Sequence, residues 1–307
     1  MALDRPIFWL GVAGLSPPQR AALLGFLPYE PGSLPAWRVA RFEEADAWCV
    51  SGQAAQLQDD GVLAIPDSRR AEPPLQLQLE AVDRPMAFTT PLASQEIEPL
   101  TTFDPESERA VQMVLKKFEV WLQPLRAQYF LGALLYQTLG GLRNAVYEVV
   151  HQSVLLAVVD LPRRRVDYRV DASPVQLEQA SWTQRAASTD GLPPRFKRAG
   201  LVEVMWQFAQ HSAVDLLPAV YHTELIRLVR PPQVPPSWLK ESLRTVLQAL
   251  AAGPTSMAQL QKSGLNPGQL ARDLAGLYFD GAITTAAGDM AWLPSANVLL
   301  SDRGLLF

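Results

Sequence analysis

The stretch 238–296, WLKESLRTVLQALAAGPTSMAQLQKSGLNPGQLARDLAGLYFDGAITTAAGDMAWLPSA, decides the fold of the C-terminal part of the chain. Glycine and proline at 253–254 end a first helix, a serine cap at 255–256 begins a short second one, and 266–280 forms a third. Residues 283–293 then fold back around 287–289 as a β-hairpin. The first helix is indicated by apolar residues at helical spacing, namely Leu243, Val246, Leu247 and Leu250.

Three helices followed by a two-stranded hairpin, in that order, resemble the winged-helix family. The resemblance implies that the third helix enters the major groove of DNA and that the hairpin contacts the backbone. Leu270, Leu274 and Leu277 are then the inner positions of that helix. Gly268, Gln269, Arg272, Asp273 and Gly276 are its outer positions. Gln269 and Arg272, with Lys262 from the preceding helix, are the candidate DNA contacts.

The charge of this winged-helix segment argues against tight DNA binding. Lys240, Arg244, Lys262 and Arg272 are balanced by Glu241, Asp273, Asp280 and Asp289, so 238–296 is neutral. Duplex binding draws much of its affinity from neutralised phosphates, and a neutral unit with an acidic hairpin binds duplexes weakly. Winged helices also serve as protein-contact modules, and the apolar tail at 298–300 and 305–307 favours that use or simply packs back on its own domain.

The composition describes a folded, multidomain chain. It has 307 residues, 48% hydrophobic and 19% charged, with a net charge of −4, so a basic whole-protein surface for nucleic acid is excluded. Cys49, the single cysteine, lies in an apolar run and is expected to be a reduced core thiol. We find no signal peptide and no apolar run of eighteen residues, which predicts a cytoplasmic protein without a membrane partner.

The first hundred residues alternate strands and helices. Strands are predicted at 7–12, 37–42, 47–50, 62–65, 75–79 and 86–89, with helices at 16–27 and 53–58, which indicates a parallel α/β layer. A long helix then begins near 104–106 and is kinked or ended at Pro124. The first domain is therefore placed at 1–139.

This N-terminal layer weakly resembles a response-regulator receiver domain that has lost its acidic pocket. Receivers need carboxylates after the first strand to hold Mg²⁺ and an aspartate after the third to accept phosphate. Here these strands end in Gly11-Val12-Ala13-Gly14 and Ser51-Gly52. The resemblance implies a domain that cannot be phosphorylated, and we expect no metal site and no cofactor.

A mixed α+β domain follows at 140–230. Strands at 146–150, 154–159 and 166–170 indicate antiparallel hairpins, and further elements are a helix at 173–182, a helix at 199–211 and a strand at 224–229. The prolines at 231–236 form a stiff linker to the winged-helix domain at 231–307. The fold class is thus α/β multidomain, with a receiver-like layer, a mixed α+β middle domain and a C-terminal winged helix.

Two arginine clusters are candidate anion sites. Arg165 and Arg169, followed by Asp171 and Ser173, superficially resemble the cyclic-dinucleotide motif of PilZ domains, but the closing glycine is missing. The candidate anion-binding residues are Arg163, Arg164, Arg165, Arg195 and Arg198. A solvated turn at 161–164 and a charged, solvated helix start at 195–198 are the simpler interpretations.

The sequence contains no recognisable catalytic motif, so we expect no enzymatic activity. The leading hypothesis is a non-catalytic regulatory or adaptor protein that acts through protein–protein contacts, with homo-oligomers also considered. A DNA-binding transcriptional regulator is the alternative. A sensor of a small anionic ligand such as a nucleotide is the third hypothesis.

Overall fold

A computed structural model describes residues 5–27, 35–58, 61–66, 74–92, 101–185 and 195–285. The chain divides into two compact units: Ile7–Gln123 is one, and Met1–Pro6 with Pro124–Phe307 is the other. The mixed α/β class is confirmed, since a parallel sheet and several antiparallel sheets occur together with helices. The domain boundaries at 139/140 and 230/231 stay predictions.

The described part of the first unit contains eight strands and two α-helices. They are β1 (Ile7–Ala13), α1 (Pro17–Gly25), β2 (Ala36–Val39), β3 (Ala47–Val50), β4 (Gln56–Leu57), β5 (Val62–Ile65), β6 (Leu75–Gln78), β7 (Met86–Phe88), β8 (Thr101–Thr102) and α2 (Glu108–Trp121).

Five of these strands form a parallel sheet in the order β2-β1-β3-β7-β8. The seven residues of β1, IFWLGVA, are apolar throughout, as a strand covered on both faces requires. On one face the ring of Trp37 lies 5.4 Å from Phe8 and 6.1 Å from Phe118 of α2. The predicted parallel layer is therefore confirmed.

The opposite face of the parallel sheet is covered by a small antiparallel sheet, β4-β5-β6, where Leu63 and Ile65 pack with Trp48 and Val50. Three predictions are wrong here: 62–65 and 75–79 do not belong to the parallel layer, and 53–58 is not a helix. The reason is local pairing, because β4 and β5 form a hairpin closed by the Gln58 amide donating to the Val62 carbonyl at 2.9 Å.

Both helices of the first unit begin at serine caps. Ser16 and Gln19 form a capping box on α1. The hydroxyl of Ser107 accepts a bond from the Ala110 amide at 3.4 Å, so α2 starts slightly later than expected. The break predicted at Pro124 is confirmed, since α2 ends at Trp121 and a new helix follows.

The remaining elements run from that new helix to the last described residue. They are α3 (Gln123–Thr138), β9 (Val146–His151), β10 (Val154–Asp160), β11 (Arg165–Arg169), α4 (Pro174–Glu178), β12 (Ser181–Gln184), β13 (Phe196–Gly200), α5 (Leu201–His211), α6 (Val220–Thr223), β14 (Leu225–Leu228), α7 (Glu241–Ala252), β15 (Thr255–Ser256), α8 (Met257–Gln261), α9 (Pro267–Asp280) and β16 (Ile283–Thr285).

A five-stranded antiparallel sheet, β12-β9-β10-β11-β13, confirms the hairpins predicted between 146 and 170. Two expectations fail at its edges. The helix expected at 173–182 stops at Glu178, because 181–184 pairs with β9 as a strand. Residues 195–198 do not start a helix either, since Phe196–Gly200 pairs with β11 before α5 begins.

The three helices predicted at the C-terminal end are present as α7, α8 and α9. β16 follows them and pairs with β14, which also pairs with β15. β14, which precedes α7 in the chain, is thus the central strand of a three-stranded sheet. The returning strand of the predicted hairpin, at 286–293, and the apolar tail at 298–307 lie outside the described residues.

Candidate functional site

In parallel α/β sheets, ligands bind beyond the carboxyl ends of the strands, where the strand order reverses. In this sheet that place lies between β1 and β3. Gly52, just after β3, lies so close to the next connection that an added Cβ would stand 1.9 Å from the Thr90 carbonyl oxygen. The hydroxyl of Ser51 accepts a hydrogen bond from the Ala54 amide at 3.3 Å. Backbone packing and hydroxyl groups therefore occupy the position where a receiver would carry its carboxylates.

A cavity of about 480 Å³ lies further along the same edge, beside the ends of β7 and β8. Residues 89–91 and 102–106 line it together with Gln19. Gln19 is engaged in the cap of α1, and the Asp104 carboxylate accepts a bond from the Glu106 amide at 2.9 Å. These lining residues include carboxylates but no lysine or arginine, so the cavity suits an anionic ligand poorly.

No group of three histidine, cysteine, aspartate or glutamate side chains able to hold a metal ion occurs in the described ranges. Cys49 is 1% exposed, and burial raises the pKa of its thiol, which confirms the expected core position. None of the helices built from described residues has the length and apolar character required to cross a bilayer.

Three of the candidate anion-binding arginines come together around two buried aspartates. Arg163 lies 2.9 Å from Asp160, and Arg165 lies 3.9 Å from Asp160 and 3.4 Å from Asp167. Arg198 of β13 lies 2.8 Å from Asp167. Both aspartates are 3% exposed, so burial of the carboxylates requires these cations. An anionic ligand would have to compete with the carboxylates for the same guanidinium groups.

The other arginines lie outside this network. Arg164 is exposed in the turn between β10 and β11, where its φ of 50° is left-handed, and Arg195 is exposed just before β13. Arg169 holds Asp171 by two hydrogen bonds of 3.0 and 2.7 Å, which keep the pKa of that carboxyl below its usual range. Ser173 caps α4. Of the residues that resemble a PilZ motif, Arg169 and Asp171 thus bond to each other, Ser173 bonds to the backbone, and Arg165 belongs to the aspartate network.

Gln269 and Arg272, the candidate DNA contacts on α9, form hydrogen bonds within the second unit. The Gln269 amide donates to Gln210 of α5 at 3.2 Å and to Asp273 at 2.8 Å, and Arg272 donates to Gln269 at 2.9 Å. Gln210 in turn donates to the Arg272 carbonyl at 3.2 Å and to Asp273 at 3.3 Å. These side chains form a polar contact between α5 and α9.

The prediction that Asp273 and Gly276 face outward is wrong. Asp273 is 1% exposed, and a Cβ on Gly276 would lie 2.9 Å from the ring of Trp206 in α5. Every residue of α9 from Asp273 to Asp280 is buried. α5 thus packs on Asp273 and Gly276, two of the five positions expected to face outward, while Gln269 and Arg272 are half-buried and Gly268 and Lys262 are exposed.

Burial also changes the acidity of Asp273. It raises the pKa of this carboxyl from 3.8 to about 6, against opposing hydrogen bonds from Gln269 and Gln210. The carboxyl therefore titrates near neutral pH inside the contact between α5 and α9.

The sequence analysis missed the outer face of α2. Met113 is 54% exposed, Val120 66% and Trp121 54%. Lys116 and Lys117 are exposed between them. A signal was available, because these three apolar residues fall outside the buried stripe of Val111, Val114, Leu115 and Phe118.

No protein-family model matches the chain, and neither a curated protein nor a solved structure matches it.

Proposed function

We propose that this chain is a non-catalytic regulatory or adaptor protein that acts through protein–protein contacts, with the N-terminal unit as the docking surface. The supporting observation is the outer face of α2. An exposed tryptophan and methionine on one helix face are the residue types enriched in the centres of protein interfaces. Large apolar groups that face solvent together mark interaction sites.

The packing of α9 supports this proposal over DNA reading. A recognition helix needs a free face to enter the major groove, and on α9 that side is occupied by Trp206 and Gln210. Arg272 and Gln269 also bond to each other. A DNA-bound form would have to break the contact between α5 and α9.

The resemblances stated from the sequence remain part of the proposal. The strand order β2-β1-β3-β7-β8 has the 2-1-3-4-5 pattern that receiver-type folds share, which supports a receiver-like N-terminal unit. The succession α7, α8, α9, β16 supports a winged-helix-like end. We further propose a cytoplasmic location, as predicted in the sequence analysis from its apolar runs.

The test is site-specific cross-linking of the full chain in the cells that express it. A photo-cross-linking amino acid replaces Val120 in one variant and Val175 in the other. These valines are a matched pair, 66% and 59% exposed, on α2 and α4. We expect a discrete protein adduct from position 120 that position 175 does not give. Absence of a protein adduct at 120, or the same adducts from both positions, would contradict the proposed function.

The DNA alternative is tested by titrating a duplex library with the full chain at two salt concentrations. We expect no binding in the micromolar range at low salt and no change in Arg272→Ala. Micromolar binding that weakens steeply with salt and is lost in Arg272→Ala would favour the transcription-regulator hypothesis.

A further inference from the structure

The outer face of α2 combines apolar and cationic side chains on one narrow strip. At 3.6 residues per turn its members lie within an arc of roughly 140° and extend over about 18 Å of helix. We call this strip the α2 face, and its residues are Arg109, Met113, Lys116, Lys117, Val120 and Trp121.

The charge on the α2 face is of one sign. Within the described ranges, no carboxylate forms an ion pair with Arg109, Lys116 or Lys117. Glu119 points to the side of the helix, where its carboxylate accepts a bond from the Trp37 indole at 3.4 Å. A surface with three uncompensated cations selects a partner that brings carboxylates.

The α2 face is also held in position before any partner arrives. The Gln112 amide donates to the Phe26 carbonyl at 3.3 Å, and two turns further along the same side of the helix Glu119 accepts a bond from the Trp37 indole. The opposite side of the helix is buried through Val114 and Phe118. A fixed helix face loses little conformational freedom on binding, which favours recognition of another helix laid along it.

We infer that the α2 face binds an acidic amphipathic helical segment of another protein, whose apolar residues contact Met113, Val120 and Trp121 and whose carboxylates pair with Arg109, Lys116 and Lys117. This inference rests on the proposed function. It adds to the proposed function the chemical character of the partner that binds the α2 face.

Other occupants fit the α2 face less well. A second copy paired symmetrically would bring Lys116 and Lys117 close to the same lysines of its partner. A helix that enters a bilayer separates its apolar and cationic residues onto two sides, whereas here Val120 lies between Lys116 and Lys117 around the helix. A nucleic acid backbone would leave Met113 and Val120 against phosphates.

The experiment begins with the adduct formed from position 120 and sequences the attached segment by mass spectrometry. We expect a segment that carries several aspartates or glutamates and apolar residues at spacings of three and four. A protein segment without acidic residues would overturn the inference and leave the proposed function standing. A segment of this same chain, a lipid or a nucleic acid as the adduct would overturn the inference as well.

A synthetic peptide with the sequence of that segment is then titrated against the full chain. We expect Lys116→Glu with Lys117→Glu to weaken binding at least tenfold, which is about 1.4 kcal/mol. The matched control is Arg244→Glu with Lys262→Glu, which makes the same charge change on exposed residues of α7 and after α8 and is expected to alter binding less than twofold. Equal loss in both double variants would mean that only net charge matters and would overturn the inference.

Discussion

α2 and α9 are alike in length and in their apolar stripe, but they differ in what surrounds them. Both are fourteen residues long, both begin at a side-chain cap, and both bury one apolar stripe. The outer face of α2 is open to solvent, whereas α5 packs on Asp273 and Gly276 of α9, which were expected to face outward. The amphipathic pattern of a helix therefore predicts one buried side. It does not predict whether another segment packs on the opposite side.

The largest expected effect comes from enlarging Gly276, where α9 meets Trp206. We expect Gly276→Leu to destabilise the chain by about 3 kcal/mol, because its Cβ alone would stand 2.9 Å from the indole ring. Gly25→Leu is the control, since Gly25 has no atom within 4 Å of an added Cβ, and we expect a change below about 1 kcal/mol. Urea denaturation followed by circular dichroism measures both variants. Equal midpoints for the two would show that α5 does not cover α9.

The second prediction concerns the carboxyl group of Asp273, which is buried in the same contact between α5 and α9. Burial raises the pKa of Asp273 to about 6, so the folded state holds the proton more tightly than the unfolded state does. Above about pH 6 the ionised carboxylate therefore destabilises the folded state by its full amount. This destabilisation decreases as the pH falls from about 6 to about 4.

We expect Asp273→Asn, which keeps the shape but removes the charge, to stabilise the chain by about 1–2 kcal/mol at pH 7.5. The gain should shrink as the pH falls from 6 to 4 and should vanish only well below the ordinary pKa of 3.8, where the aspartate is protonated in both states. Denaturation curves for both proteins at several pH values give the difference directly. A gain that does not change with pH would mean that the carboxyl is hydrated and that the α9 face is open.

Much of the fold followed from local patterns. Three buried positions of α9 were predicted from spacing alone, since Leu270, Leu274 and Leu277 are each 0% exposed. The parallel layer followed from continuous apolar strands. These features depend on residues near one another in the sequence, so a sequence can reveal them.

The failures share a physical cause, which is contact with a distant segment. β13 was not predicted because it is an edge strand on which Lys197 and Arg198 are exposed. The ion-pair partner of Arg198 is Asp167 on β11, which lies 31 positions away in the sequence. The outward assignment of Asp273 failed because Gln210 and Trp206 come from another helix. The α2 face was missed for the opposite reason, since no described segment packs on it.

The smallest expected effect tests whether any segment of this chain packs on the α2 face. Met113→Ser combined with Val120→Ser should change the free energy of unfolding by less than about 0.5 kcal/mol, because both side chains are more than half exposed, at 54% and 66%. Val114→Ser on the same helix is the control, and at 3% exposure it should cost about 2–3 kcal/mol. If the double variant loses as much as the control, the α2 face packs within this chain. It would then be unavailable to a partner, and the contrast between α2 and α9 would disappear.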